Sequence, residues 1–292
     1  MKAAQTNKNK VSLLAIAAAL MVTACGGGGD SSSTSNASTA TTASSTSPDS
    51  SCFTLPGNGK TATVTASTTV PVEVTVATIT GAGAQSFEGQ SYSGLDVHAQ
   101  IAGIDQHHAL FMLPNAPFLP AGAISYPSVG DTDPQQRYAY TYSPMTLEQL
   151  RTAIISGKAS FGSGLSYAGL VKTVPAATDF QLNTPVTLVM LEQQAGGTAS
   201  LPTTFKTRYI KELTLTYAGR EDVSVGSATY AQACKFSLAV RRTDFNGLPF
   251  SITNVATGNL WFAPGVGLVK AQNSGSVLGT LTSLSVAVTP AP

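Results

Sequence analysis

Apolar and polar residues alternate along much of the chain. Val72, Val74 and Val76 share one parity while Glu73 and Thr75 take the other. Tyr138, Tyr140 and Tyr142 alternate with Ala139 and Thr141, and Leu213, Leu215 and Tyr217 alternate with Thr214 and Thr216. Phe236, Leu238 and Val240 keep the same period, as do Leu284, Val286 and Val288. A period of two, rich in Val, Thr, Tyr and Phe and punctuated by Gly, Pro and Asn, predicts antiparallel strands with one buried face. One segment departs from it. In SPMTLEQLRTAIISGK, Thr146 and Gln149 fit a capping box, Leu147, Leu150 and Ile154 fall at helical spacing, and Gly157 suits a C-terminal cap. The pattern predicts a mainly β fold, either an antiparallel curved sheet (half-barrel) or a sandwich, with one short helix across a sheet face or end.

The stretch LWFAPGVGLVKAQ, Leu260 to Gln272, holds the only tryptophan of the chain. Leu260 to Phe262 reads as a strand. Ala263-Pro264-Gly265-Val266 fits a type II turn, in which proline fixes φ at the second position and glycine takes positive φ at the third. Val266 to Ala271 reads as the returning strand. Each residue has a backbone or packing role, so the stretch is expected to be scaffold.

The amino-terminal part has a different character. Lys2, Lys8 and Lys10 precede the uncharged run VSLLAIAAALMV, which is too short to span ~30 Å of hydrocarbon comfortably. Apolar character then stops at VTACGGGGD. The basic start, apolar run, small residues Thr23 and Ala24, and Cys25 resemble the signal peptide and lipobox of bacterial lipoproteins. The resemblance implies that residues 1–24 are removed and that Cys25 becomes the lipidated first residue of the mature chain. Gly26, in place of an aspartate, implies sorting to the outer membrane. An ordinary secretory leader with an incidental cysteine is the alternative. Residues 25–51, Cys25 followed by a Gly/Ser/Thr/Ala-rich stretch, bury too little apolar surface to offset ordering entropy and are expected to be a flexible tether. Residues 52–292 are long enough for a substantial core.

Three cysteines in an exported chain leave one unpaired. With lipid on Cys25, Cys52 and Cys234 remain as an even pair in an oxidising compartment, available either for a disulfide or as buried thiols. Loss of the leader removes three lysines, leaving 13 basic against 15 acidic residues and a net charge near −2. No basic block remains, which speaks against a nucleic-acid partner. Charged residues make up 11% of the chain, so serine and threonine must supply most of the polar surface.

Candidate chemistry is sparse. All three histidines fall in DVHAQIAGIDQHHAL, with Asp96, His98, Asp105, His107 and His108. If residues 95–102 and 105–112 pair as a hairpin, His98 and a later histidine meet across it. With Asp96 or Asp105 they would make a zinc-like site, although the spacing matches no named zinc motif; the alternative is a solvated strand face. The row Tyr138, Tyr140 and Tyr142 would line a ligand groove, but alternating tyrosines also pack well on a half-buried sheet, and packing is the reading favoured here. GSGLSYAG places Ser166 one residue too far from Gly169 for a nucleophile elbow. Glu221-Asp222 and Asp131-Thr132-Asp133 read as solvated turns, and Arg241-Arg242 as an exposed strand end. No catalytic residue and no cofactor is assigned.

YAGREDVSV, ATYAQACKFSLAV and LWFAPGVGLVKAQ, in succession from Leu213 to Gln272, resemble a TapB-like β-rich module of bacterial envelope proteins of uncharacterised function. The matching positions are Gly219, Glu221, Asp222, Val223, Val225, Tyr230, Cys234 and Trp261 through Lys270; GSATY stands where the module has P-A-G-T-F. The resemblance implies a β-rich segment over 212–272 and carries no catalytic assignment. The sequence thus predicts a lipid-anchored envelope protein, held at the membrane and expected at the outer membrane, whose β domain binds or scaffolds without catalysis. Its partner would be an envelope protein or a hydrophobic ligand. A half-barrel carrier of lipid, a metal-assisted hydrolase using the histidines, and an adhesin exposing the tyrosine row are the alternatives.

Overall fold

The alternating segments become strands of one sheet. The computed structural model describes residues 46–68, 74–101, 104–126, 135–156, 159–161, 165–167, 176–196, 206–225, 228–244, 252–276 and 281–287. Cys25, Val72, Asp131, Asp133 and Gly157 lie outside these residues, as do the side chains of Val74, Val76, Ile154, Ser166, Leu284 and Val286. The strands are β1 (Thr61–Thr68), β2 (Val74–Phe87), β3 (Gln90–Ile101), β4 (Ile104–Leu113), β5 (Ala116–Tyr126) and β6 (Gln136–Ser143). After a helix α1 (Leu147–Ile155) and a small two-stranded sheet, β7 (Ala159–Phe161) with β8 (Leu165–Tyr167), the large sheet resumes. Its remaining strands are β9 (Pro185–Gly196), β10 (Lys206–Val225), β11 (Ala228–Asp244), β12 (Thr253–Ala263), β13 (Gly267–Ser276) and β14 (Leu281–Ala287).

Eleven of these strands, in the order β1-β2-β3-β4-β5-β6-β9-β10-β11-β12-β13, form one curved antiparallel sheet. β14 stands in the gap between its two ends. It pairs β1 from Thr63↔Ala287 to Thr68↔Leu281, but β13 only at Lys270↔Ser285, Ala271↔Leu284 and Gln272↔Ser283. The hydrogen-bonded order is therefore circular. The curved sheet with one helix matches the sequence pattern; two stacked sheets are not what forms.

Alternation decides what faces the interior. Leu95 and Val97, Leu110 and Met112, Leu188 and Met190, Leu213 and Tyr217, and Leu260 and Phe262 all join one buried cluster. A ring of this many strands encloses more space than its own side chains fill. Two segments outside the sheet occupy it. A 3-10 turn at Ser50–Phe53, capped by Asp49 accepting from Ser51 N, carries Phe53 inward. A second turn, Ala177–Asp179, delivers Phe180. The Phe53 ring lies 4.6 Å from Phe118, 5.4 Å from Phe262 and 5.5 Å from Phe236, and Phe180 meets Phe236 edge-on at 5.4 Å. These offset and edge contacts suit the ring quadrupoles.

The entering segment is fastened along its length. Cys52 is disulfide-bonded to Cys234, Ser51 O accepts from Gly265 N at 2.9 Å, and Asp49 pairs with Arg220. The described structure includes part of the stretch expected to be tether: Thr46 O accepts from Leu182 N at 2.8 Å. The segment then crosses β2 at Gly81, where a Cβ would sit 2.2 Å from Gly57 O, so only glycine lets the two backbones approach.

Helix α1 is local in origin. Thr146 N donates to Gln149 Oε1 and Gln149 N to Thr146 Oγ1, the reciprocal capping box expected from the sequence. Leu147 and Leu150 pack on the outer face of the sheet against Val189, Leu191 and Ile210. Arg241, expected at an exposed strand end, forks between Glu148 at 2.8 Å and Glu212 at 2.6 Å, while Glu212 also accepts from Leu147 N. That hydrogen bond from Arg241 holds the Glu148 carboxyl below its ordinary range.

Candidate functional site

The hairpin predicted around the histidines forms, with β3 and β4 in the register His98↔His107 and Asp96↔Ala109. Residues two apart on a strand share a face, and directly paired residues lie side by side. Asp96, His98 and His107 therefore meet on one face, the outer one, because Leu95, Val97 and Leu110 point inward. The row continues onto the flanking strands through Thr78↔His98 and His107↔Tyr126.

The geometry is convergent. His107 Nε2 lies 2.5 Å from Asp96 Oδ1, and His98 Nε2 lies 3.2 Å from Asp96 Oδ2. The two imidazoles stack at 4.1 Å with an interplanar angle of 12°, and Tyr126 covers the other side of His107 at 4.3 Å and 18°. Ala109, opposite Asp96, leaves room for the carboxylate to reach across. The side chains of His98, His107 and Asp96 are 60%, 36% and 40% exposed, so solvent reaches the group. Asp105 is paired with Gln100 in the backbone register and takes no part in this trio.

His108 belongs to the other face. It pairs with Val97, is 2% exposed inside the ring, and leaves Nδ1 without a hydrogen-bond partner among the described residues. Burial, then the positive charge of His107 and His98, push its pKa down to about 4. Below pH ~6.5 the unfolded chain binds a proton that the folded chain accepts only near pH 4. Stability should therefore fall as the pH drops through that window, by up to about 3 kcal/mol, and be unaffected by this group above it. Urea midpoints at pH 7 and pH 4.5 check this: the difference should shrink in His108→Gln, and an unchanged difference would exclude His108 as its source.

The tyrosine row takes the packing role. Tyr138, Tyr140 and Tyr142 are 4%, 9% and 3% exposed inside the ring, so they form no surface patch, and the adhesin reading that needed one is overturned. Tyr142 donates to Pro120 O at 2.7 Å. Burial first, then Glu192, pushes the Tyr140 hydroxyl well above its ordinary pKa. The LWFAPGVGLVKAQ stretch is scaffold as read: Val266 N donates to Ala263 O at 3.0 Å across the turn, and Gly265 has φ +71°. Trp261 is buried on the outer face, donates to Glu221 Oε1 at 2.6 Å, and lies between Lys235 at 5.3 Å and Lys270 at 5.0 Å. Glu221, expected to be a solvated turn, is thus a partner of the tryptophan.

Two features escaped the sequence reading. Lys211 and Glu192 form an ion pair inside the ring, their side chains 2% and 6% exposed. The signal was parity: Lys211 continues the row of Leu213, Leu215 and Tyr217, and Glu192 that of Leu188 and Met190. The second is an apolar chamber beside Phe53, bounded by Phe118, Phe180, Phe236 and Phe262, of about 20 Å³. That is room for about one water molecule.

No family model matches the chain, and no curated protein matches it. The likeness to the TapB-like module therefore rests on the residues quoted above. Two solved structures are similar. One, from Bacteroides fragilis NCTC 9343, is described as an exported protein with a YmcC-like fold; it is 12% identical, with 78% of this chain and 93% of that one covered and a TM-score of 0.33. The other, from Parabacteroides distasonis ATCC 8503, is described as a lipoprotein; it is 12% identical, with 79% and 94% covered and a TM-score of 0.32. At these scores the likeness carries no argument about this chain.

Proposed function

We propose that this is a lipid-anchored protein of the bacterial envelope, carried at the outer membrane on a flexible tether, whose β domain binds or scaffolds without catalysing a reaction. The observation that carries this reading is the Cys52–Cys234 bond. It uses two of the three cysteines and leaves Cys25, at the end of the leader, as the one for lipid. Disulfides persist in oxidising compartments, which accords with export. Two or three acyl chains on Cys25 would anchor firmly where one would not. The filled interior supports a scaffold over a cup: Phe53 and Phe180 occupy the space an apolar ligand would need.

Cell fractionation of Cys25→Ala tests the anchor. The wild-type chain should sediment with membranes and incorporate labelled palmitate, and the variant should do neither. A variant that stays in the membrane fraction would end the lipid-anchor reading. The carrier alternative draws on the wholly apolar wall of the chamber and requires Phe53 to swing out. Native mass spectrometry of the purified protein separates the two, since a carrier retains a bound acyl species and a scaffold does not.

A further inference from the structure

We propose that Asp96, His98 and His107 form a binding site for a late first-row divalent metal ion, Zn²⁺ being the reference case, on the outer face of the β3–β4 hairpin. The donor set is the first ground. Two imidazole nitrogens and one carboxylate suit zinc, nickel and copper, and do not suit the all-oxygen preference of calcium or magnesium.

Geometry is the second. One ligand atom from each residue lies within 4.8 Å of the other two, with carboxylate-to-nitrogen distances of 2.5 and 3.2 Å. An ion holding ligands at about 2.1 Å with tetrahedral angles spaces them about 3.4 Å apart. Both Nε2 lone pairs face one ion once the imidazoles, now stacked at 4.1 Å and 12°, turn out of that stack, a side-chain rearrangement that leaves the strand pairing in place.

Rigidity is the third. The ligands come from paired strands at fixed register, so the backbone contributes little ordering cost. Tyr126 stacks on His107 and limits its rotation. Each imidazole directs Nε2 toward the same carboxylate. Two histidines that served only to solvate a strand face would have no need to converge on one acid. Three protein ligands with solvent access leave a further coordination position for water or for a ligand atom from a partner molecule. The inference does not rest on the lipid anchor, because all three ligands lie on β3 and β4.

Isothermal titration with Zn²⁺ tests it, using the full chain in detergent, with any affinity tag removed and a non-coordinating buffer at neutral pH. The expected result is one saturable site per chain. His98→Ala and His107→Ala should each weaken it by more than the roughly 10–100-fold that follows loss of an outer-shell partner. His108→Gln, on the opposite face, should bind as wild type does. Far-ultraviolet circular dichroism of each variant separates loss of a ligand from loss of the fold, and Asp96→Asn, an exposed isostere, supplies a third ligand variant. Absence of saturable binding overturns the proposal. So does a site that survives unchanged in both His98→Ala and His107→Ala.

Discussion

Lys211→Met should cost about 3–5 kcal/mol, one of the largest losses available to a single substitution in this protein. Lys211 donates to Glu192 inside the ring, where both side chains are almost wholly shut off from water. Removing the ammonium leaves a carboxylate in low dielectric with its charge uncompensated. The attraction within the intact pair only offsets the desolvation of two ions, so the pair itself contributes little net stability. The double variant Lys211→Met with Glu192→Leu should therefore recover most of the loss. Urea midpoints of wild type, both single variants and the double variant give the coupling directly. A Lys211→Met protein within about 1 kcal/mol of wild type would mean that water reaches the pair.

Loss of the disulfide should be comparable. Cys52→Ala with Cys234→Ala removes a cross-link spanning 182 residues, which should cost about 2–5 kcal/mol, chiefly through the wider freedom of the unfolded chain. The folded state should feel it too, and locally. The entering segment would keep the Phe53 contacts, the Ser51–Gly265 hydrogen bond and the Asp49–Arg220 pair. Limited proteolysis should then cut near residues 46–56 in the variant at protease levels that leave wild type intact, while the strands stay protected. Equal resistance in both proteins would show that the phenylalanine packing alone holds the segment.

How much of this was readable beforehand depends on the range of the interactions. Alternation at Tyr138–Tyr142, Leu213–Tyr217 and Phe236–Val240 reports a local choice of face, and every described member of those rows lies where parity puts it. The capping box of Thr146 and Gln149 and the Pro264-Gly265 turn are closed by residues within four positions of each other, so their chemistry is written in adjacent letters. The meeting of His98 with His107 was legible as a possibility only, because alternation fixes the face of each residue and leaves open which residues of the two strands pair. Arg241 was misread because its partners, Glu148 and Glu212, are distant in sequence. The insertion of Phe53 and Phe180 had no periodic signal at all. Both lie in irregular segments whose burial follows from the space the curved sheet leaves, a quantity known only once the strands have paired.

β14 has a consequence for how the protein behaves in company. A sheet of eleven long strands with two open margins presents rows of unpaired amides and carbonyls that a second molecule can extend. With only 11% charged residues, this chain has little electrostatic repulsion to keep copies apart. β14 occupies both margins at once, holding β1 over six positions and β13 over three. The shorter of these contacts is the one whose opening would leave the margin of β13 available for pairing with another strand.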